Sequence, residues 1–259
     1  MGDGSLIASV EDWKSAAQVS TVLVRIKPPG RVSDFIPTSR FAADSIVVRN
    51  DSEIWAFGGN PVHSDAPSNP DTLERFSIDG KLLSKNLPAV MYFSDADRSS
   101  GLPSKVQSNG YRPETWVTYH GQAVVLDDGV GFFSPMAAAW IELGADGKFR
   151  SRVSLVSPFN AGSLSRPNPT SWFTPPVYHA RSIVSADGAV FGELYYSPAH
   201  PGGPAPPYGL FRLDRAAGRW VQLTGPPEGY GGLFGADGAD LILRSGCCTY
   251  AWIALASLQ

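Results

Sequence analysis

The sequence predicts an all-β protein built from about five similar units, and three observations support that prediction. A turn rich in Asp and Gly returns five times along the 259 residues, with aspartates at Asp3, Asp51, Asp128, Asp187 and Asp237. Apolar segments long enough for a short strand flank these turns. The 27 Gly and 22 Pro lie between such segments, as expected where many short strands each need a turn.

The spacing of the turns sets the length of the unit. Successive aspartates are 48, 77, 59 and 50 residues apart, which indicates a unit of about 48 to 50 residues with insertions in the middle of the chain. A tight Asp/Gly turn between two apolar runs is typical of a β-hairpin. A third strand with Arg or Glu among apolar residues and a more polar fourth strand complete a four-stranded unit, whose polar strand suits an outer edge.

Four-stranded units of this length predict a β-propeller. We interpret residues 1–259 as a single domain with units near 3–37, 42–88, 114–155, 178–224 and 229–259 and an insertion at 89–113. The first unit lacks its innermost strand and the last lacks its outermost, which indicates five blades with two incomplete or part of a larger ring. A β-sandwich is the alternative, because regularly spaced short strands serve both architectures.

One segment resembles a known group of propellers. Residues 73–82 read LERFSIDGKL, which is similar to the phrase L-x-R-F-D-x-D-G-K-L in blades of the broad kelch, NHL and lactonase-like kind. The resemblance implies propeller architecture for nearly the whole chain. It implies no particular activity, because no family's catalytic motif matches and one fold hosts many functions.

Composition excludes several classes of protein. The net charge is −3 and Lys and Arg form no cluster, so nucleic acid is not an expected partner. No apolar run approaches the roughly 18 to 20 residues of a spanning helix, and Met1–Val10 lack the basic and apolar parts of a signal peptide. Cys247 and Cys248 are adjacent, which excludes a CxxC motif and leaves either a half-buried pair or a vicinal disulfide.

Two neighbouring units carry a Tyr-His pair at the same position. Tyr119-His120 precedes Asp128, and Tyr178-His179 precedes Asp187, by nine and eight residues. The innermost strands of a propeller line a central channel, so both imidazoles are predicted to enter it at one height. The alternative is that each pair serves packing, with its rings hydrogen-bonded to nearby backbone.

Carboxylates near the two histidines in the repeat frame extend this candidate channel site. They are Asp44, Glu114 and Glu228. Two imidazoles with a convergent carboxylate could hold a divalent metal or act as an acid and base pair. The repeat frame also predicts Trp55, Trp140 and Trp252 as core residues, and the insertion as a binding loop, a lid or a surface loop.

Two functions follow from these features. The first is a non-catalytic binding module whose partner is a small molecule, a carbohydrate or a protein, since no nucleophile, phosphate loop or metal motif is present. The second is a propeller hydrolase or lyase that acts on a carbohydrate or lactone, with a divalent metal held by His120 and His179. Such a metal would lower the pKa of a bound water and polarise a substrate oxygen.

Overall fold

Tight hairpins build the sheets of this protein. In the computed structural model, Asp187 and Gly188 link the paired residues Ala186 and Ala189 with φ values of 47° and 69°. Hairpin turns of two residues favour such left-handed values, which explains the Asp and Gly of the repeated turn. The structure describes residues 1–15, 18–38, 41–60, 70–108, 113–159, 177–197, 208–224, 230, 232–246 and 248–258.

The described strands form five separate antiparallel sheets, each with its strands paired in chain order. Blade one contains β1 (Leu6–Ser15), β2 (Gln18–Lys27) and β3 (Arg31–Pro37). Blade two contains β4 (Ala42–Arg49), β5 (Glu53–Gly59), β6 (Asp71–Ser77) and β7 (Leu82–Pro88). Blade three contains β8 (Gln122–Leu126), β9 (Gly129–Ser134), β10 (Ala139–Gly144) and β11 (Phe149–Ser154).

Blade four contains β12 (Val177–Ala186), β13 (Ala189–Ser197), β14 (Tyr208–Asp214) and β15 (Arg219–Gln222). Blade five contains β16 (Gly232–Asp237), β17 (Asp240–Ser245) and β18 (Thr249–Ala254). The prediction of a propeller with about five blades and incomplete terminal units is confirmed, and the sandwich alternative is wrong because the sheets are five and not two. No described helix has the length and apolar character that crossing a membrane requires.

Apolar residues between consecutive blades form the core. One cluster joins each pair of neighbours from blade one to blade five. Between blades two and three, for example, Phe57 stacks on Phe132 with ring centroids 4.6 Å apart. The first strands of blades two to five pack side by side in the order β4, β8, β12 and β16, and β1 packs beside β4. Strands β4, β8, β12 and β16 surround the axis of the propeller, whereas β1 corresponds by register to the second strand of the other blades.

The tryptophans correct one prediction. Trp55 and Trp140 are fully buried as expected, whereas Trp252 is 57% exposed. Trp140 pairs with Phe133, and Phe133 is four residues after the first residue of β9. In blade five the equivalent residue of β17 is Arg244, which pairs with Tyr250. Tyr250 therefore has the position of Trp140. Trp252 lies two residues further along the strand than Trp140, on a face of blade five against which no described blade packs; Tyr250, at the position of Trp140, is exposed as well.

The insertion is helical and belongs to the core between blades two and three. It contains a 3₁₀ helix (Ala89–Tyr92), α1 (Asp95–Ser99) and α2 (Leu102–Ser108), and α3 (Pro113–Thr118) continues the helical segment into the predicted third unit. The Ser94 hydroxyl caps α1, and the Asp97 carboxylate accepts from the Ser94 backbone N–H in return, which is a capping box. Phe93 stacks on Trp116 with ring centroids 5.9 Å apart, so this segment is anchored by buried aromatic rings.

Candidate functional site at the inner strands

The two predicted histidines meet where β8 and β12 begin. Their ring centroids are 4.9 Å apart, and their planes cross at 75°. His120 precedes β8 with φ of 56°, a left-handed value that turns the chain from α3 into the strand. His179 is the third residue of β12. Because these strands are neighbours around the axis, the pair joins blade three to blade four.

Two tyrosines extend the pair into a row of four rings, which we call the ring row: Tyr119, His120, His179 and Tyr195. The ring centroids of Tyr119 and His120 are 4.0 Å apart, and those of His179 and Tyr195 are 5.5 Å apart. Tyr195 belongs to β13 and lies directly opposite His179 in the sheet, which places both side chains on one face. Tyr119 and His120 are exposed, whereas His179 is buried.

Both imidazoles are neutral at pH 7. Burial, together with a smaller effect of the neighbouring His120 charge, lowers the pKa of His179 to about 4. Burial also lowers the pKa of His120 below its ordinary value. The Nδ1 atom of His179 is buried and has no hydrogen-bond partner among the described residues. The ring row is therefore a largely apolar surface that carries a few polar nitrogen atoms.

Arg181 adds a cation at one end of the ring row. It is the extra residue of a β-bulge, because the register of β12 against β13 shifts between Ala180 and Ser182. Its guanidinium carbon lies 5.4 Å from the centre of the Tyr195 ring, within the range of a cation–π interaction. Its Nη1 lies 3.2 Å from Oε1 of Glu193, a carboxylate that is only 4% exposed.

Glu193 and Ser182 fix blade four to blade five behind this surface. Oε2 of Glu193 accepts from the backbone N–H of Leu233 at 3.0 Å. The Ser182 hydroxyl donates to the carbonyl of the same Leu233 at 2.6 Å. Both backbone polar groups of one inner-strand residue are thus satisfied by the neighbouring blade, which holds the first strands of blades four and five in register.

Asp44 approaches from blade two. It is the extra residue of a second bulge, between Ala43 and Ser45, and its Oδ2 accepts from the Thr118 hydroxyl at 2.5 Å. The protein atoms around Asp44 displace much of its hydration, although part of the side chain remains accessible. This desolvation raises the pKa of Asp44 to about 6; the bond from Thr118 opposes the shift and the Glu11 charge adds to it. Thr118 precedes His120 by two residues, so Asp44 contacts the connection that carries His120.

The other predicted site residues lie away from the ring row or outside the described residues. Tyr178 is buried in the core between blades three and four, where its ring centroid lies 5.5 Å from that of Phe133, so it does not join the ring row. Cys248 is exposed. Cys247, Glu228 and the side chain of Glu114 lie outside the described part of the chain, and so does the choice between a half-buried cysteine pair and a vicinal disulfide. Among the described residues, no group of three His, Cys, Asp or Glu side chains could hold a metal ion.

Sequence reasoning missed Arg181, Glu193, Tyr195 and Thr118. A signal was present for Glu193, because an acidic residue inside the apolar strand β13 is expected only where it has buried partners. Tyr195 lies six residues after the first residue of β13, and only the bulge brings it opposite His179.

Comparisons with known proteins give distant similarity to solved structures. No protein-family profile matches the chain, and no curated protein matches it. Among solved structures, the chain is similar to a virginiamycin B lyase from Staphylococcus aureus, at 11% identity over 93% of this chain and 82% of that chain, with a TM-score of 0.36. A catalytically inactive variant of virginiamycin B lyase from Staphylococcus aureus with quinupristin gives 10% identity over 97% and 89%, with a TM-score of 0.36. A puromycin hydrolase gives 11% identity over 94% and 42%, with a TM-score of 0.27.

Proposed function

We propose that this protein is a binding module that holds a small organic molecule on the ring row. The observation that supports the proposal is the unbroken series of ring contacts from Tyr119 through His120 and His179 to Tyr195. Aromatic faces of this kind stack on the apolar face of a sugar or on a planar ring, and such contacts add to the free energy of area burial. His179 lies on the inner strand β12 and Tyr195 on the adjacent strand β13, whereas Tyr119 and His120 lie in the turn before β8.

The charges around the ring row favour a neutral ligand. Both imidazoles are uncharged at pH 7 because their pKa values are lowered. Arg181 is paired with the Glu193 carboxylate, so this cation is largely compensated. A neutral sugar or lactone with hydroxyl or carbonyl groups would find flat rings, imidazole nitrogens and the free donors of the exposed guanidinium.

The second candidate is a hydrolase or lyase for a carbohydrate or lactone, with a divalent metal at His120 and His179. The neutral imidazoles and the 4.9 Å between their centroids favour this candidate. The surroundings of His179 oppose it, because a ligating imidazole almost always donates its other N–H to a carboxylate, carbonyl or water. If the metal bound Nε2, the proton on Nδ1 would find no acceptor among the described residues.

Binding can be tested with histidine-selective nitrogen NMR. The probes are methyl β-glucoside, γ-butyrolactone and benzamide, each titrated into the whole chain. We expect at least one probe to shift the signals of both His120 and His179, and we expect His120→Ala to abolish that shift at His179. His120→Phe is the matched control because it keeps a ring and should retain most of the affinity. Failure of all three probes would contradict the proposal.

The metal candidate has its own measurement. The purified chain is incubated with Zn²⁺ or Mn²⁺, desalted and analysed for bound metal. One equivalent that is lost in both His120→Gln and His179→Gln would favour the metal-dependent enzyme. Binding of an organic probe without stoichiometric metal would favour the non-catalytic module.

A further inference from the structure

Blade one has an apolar face that points away from blade two. Three rows of directly paired residues cross its strands, and all nine are apolar: Leu6, Ile26 and Val32; Ala8, Val24 and Phe35; Val10, Val22 and Pro37. The opposite face carries Leu23 and Ile36, which are buried against blade two. We call the first surface the blade-one face. Leu6 in β1 is 65% exposed and Phe35 in β3 is 67% exposed, whereas Val24 in the middle strand is buried, so the two sides of this face are open to solvent.

Blade five has an uncovered face on its own far side. Leu233, Leu241 and Leu243 are buried against blade four, and the alternate residues of the sheet point the other way. They include a cluster of exposed aromatic side chains, which we call the blade-five face: Phe234, Tyr250 and Trp252. The ring centroids of Phe234 and Tyr250 are 4.7 Å apart.

The blade-five face uses positions that contact the next blade elsewhere in the fold. Trp252 pairs with Ile242, and Ile242 is two residues after the first residue of β17. In blade two that position belongs to Arg75, whose Nη2 donates to the carbonyl of Ala145 in blade three at 3.2 Å. In blade three it belongs to Glu142, whose carboxylate pairs with Arg215 of blade four at 2.9 Å.

The position of Tyr250 leads to the same conclusion. It corresponds to Trp140, which is fully buried in the cluster between blades three and four. Tyr250 is nevertheless exposed. The described residues form a cluster between each consecutive pair of blades and none between blades five and one. The two uncovered faces therefore have the chemistry of a contact between blades and do not meet within one chain.

We propose that two copies of this chain associate head to tail, with the blade-five face of one copy packed on the blade-one face of the other. Each contact between blades in the fold joins the far face of one blade to the near face of the next, and this pairing repeats that arrangement. A contiguous apolar patch on a protein surface commonly marks an interaction surface. Because the two surfaces differ, the contact is heterologous, and it extends to further copies unless the geometry closes.

Two variants test the proposal because each removes one half of the contact. Trp252→Lys alters the blade-five face, and Leu6→Lys alters the blade-one face. Both side chains are exposed, so the substitutions leave the buried clusters intact, and circular dichroism checks the fold of each variant. The masses of the whole chain, of each variant and of an equimolar mixture are measured by sedimentation at several concentrations.

We expect the unaltered chain to associate with rising concentration, and each variant alone to raise the dissociation constant by about tenfold or more. The mixture should form a one-to-one dimer, since it still contains one intact face of each kind. A chain that stays monomeric at all concentrations would overturn the proposal. Either variant associating as strongly as the unaltered chain would also overturn it, because the contact would then join two identical faces. Loss of this association leaves probe binding at the ring row intact, so the two proposals fail separately.

Discussion

Replacing Glu193 tests whether one buried carboxylate holds blades four and five together. The side chain is 4% exposed and divides its oxygens between the backbone N–H of Leu233, at 3.0 Å, and the guanidinium of Arg181, at 3.2 Å. Glu193→Ala removes both acceptors. Glu193→Gln keeps one carbonyl oxygen for the backbone N–H and replaces the oxygen that faces Arg181 with an NH2 group, so it removes only the ion pair and is the matched control.

The expected loss of unfolding free energy follows from how deeply the two partners of Glu193, Leu233 and Arg181, are buried. Leu233 is buried, and a buried N–H left without an acceptor costs about 1–3 kcal/mol. The side chain of Arg181 is 63% exposed, and such a pair contributes only about 0–1 kcal/mol. We therefore expect Glu193→Ala to lower the free energy of unfolding by about 1–4 kcal/mol, and Glu193→Gln by about 0–1 kcal/mol.

Urea unfolding of the three proteins, followed by tryptophan fluorescence, measures these differences. The Ala variant should unfold at a clearly lower urea concentration than the Gln variant, with similar slopes. Equal losses in the two variants would refute the reasoning, because the backbone hydrogen bond would then contribute nothing beyond the ion pair. A Gln variant as stable as the unaltered chain would show that the carboxylate charge is dispensable.

Two further predictions concern the pH dependence of stability and the close approach of Gly58 to the backbone of Ala42. The pKa of Asp44 is raised to about 6 in the fold, so its contribution to stability is present at low pH and is lost as pH rises toward and through 6. The urea midpoint of Asp44→Asn relative to the unaltered chain should therefore rise between pH 4 and pH 7, and a constant difference would contradict this. A Cβ on Gly58 would lie 1.8 Å from the carbonyl oxygen of Ala42, so Gly58→Ala should cost about 3 kcal/mol or more in thermal unfolding experiments. Gly235→Ala, whose Cβ would meet Ile242 at 3.8 Å, is the control and should cost much less.

Much of the fold could be predicted because every blade uses the same local chemistry. Apolar runs separated by Asp and Gly turns specify hairpins with little help from distant parts of the chain. The alignment on turn aspartates was less secure. Asp128 is the second turn residue of its hairpin, whereas Asp237 still belongs to β16 and pairs with Asp240. The expectation that Trp252 is a core residue rests instead on the match of Trp252-Ile253 to Trp140-Ile141 in the third strand, and the strand pairing puts Tyr250 at the position of Trp140.

The helical insertion shows what sequence periodicity leaves out. Its helices have five to seven residues, which is too short to produce a clear helical repeat of apolar residues. They are stabilised by the Ser94 cap and by rings that pack into the core between blades two and three. Short helices of this kind depend on tertiary contacts for their stability, and a single sequence does not reveal those contacts.

The candidate site exists because the inner strands depart from regular pairing. Counting back from the pair Ala186 and Ala189, an unbroken hairpin would place Tyr195 opposite Ala180 and therefore on the opposite face from His179. The bulge at Arg181 shifts the register by one residue, which exchanges the faces of all residues beyond it. Tyr195 then meets His179, and Arg181 lies over the Tyr195 ring. In β4 a bulge at the same distance from the end of the strand presents Asp44 instead. Identical hairpins would place the same kinds of side chain near the axis in every blade. The bulge residue is Asp44 in blade two and Arg181 in blade four, so these two blades present opposite charges at the same position.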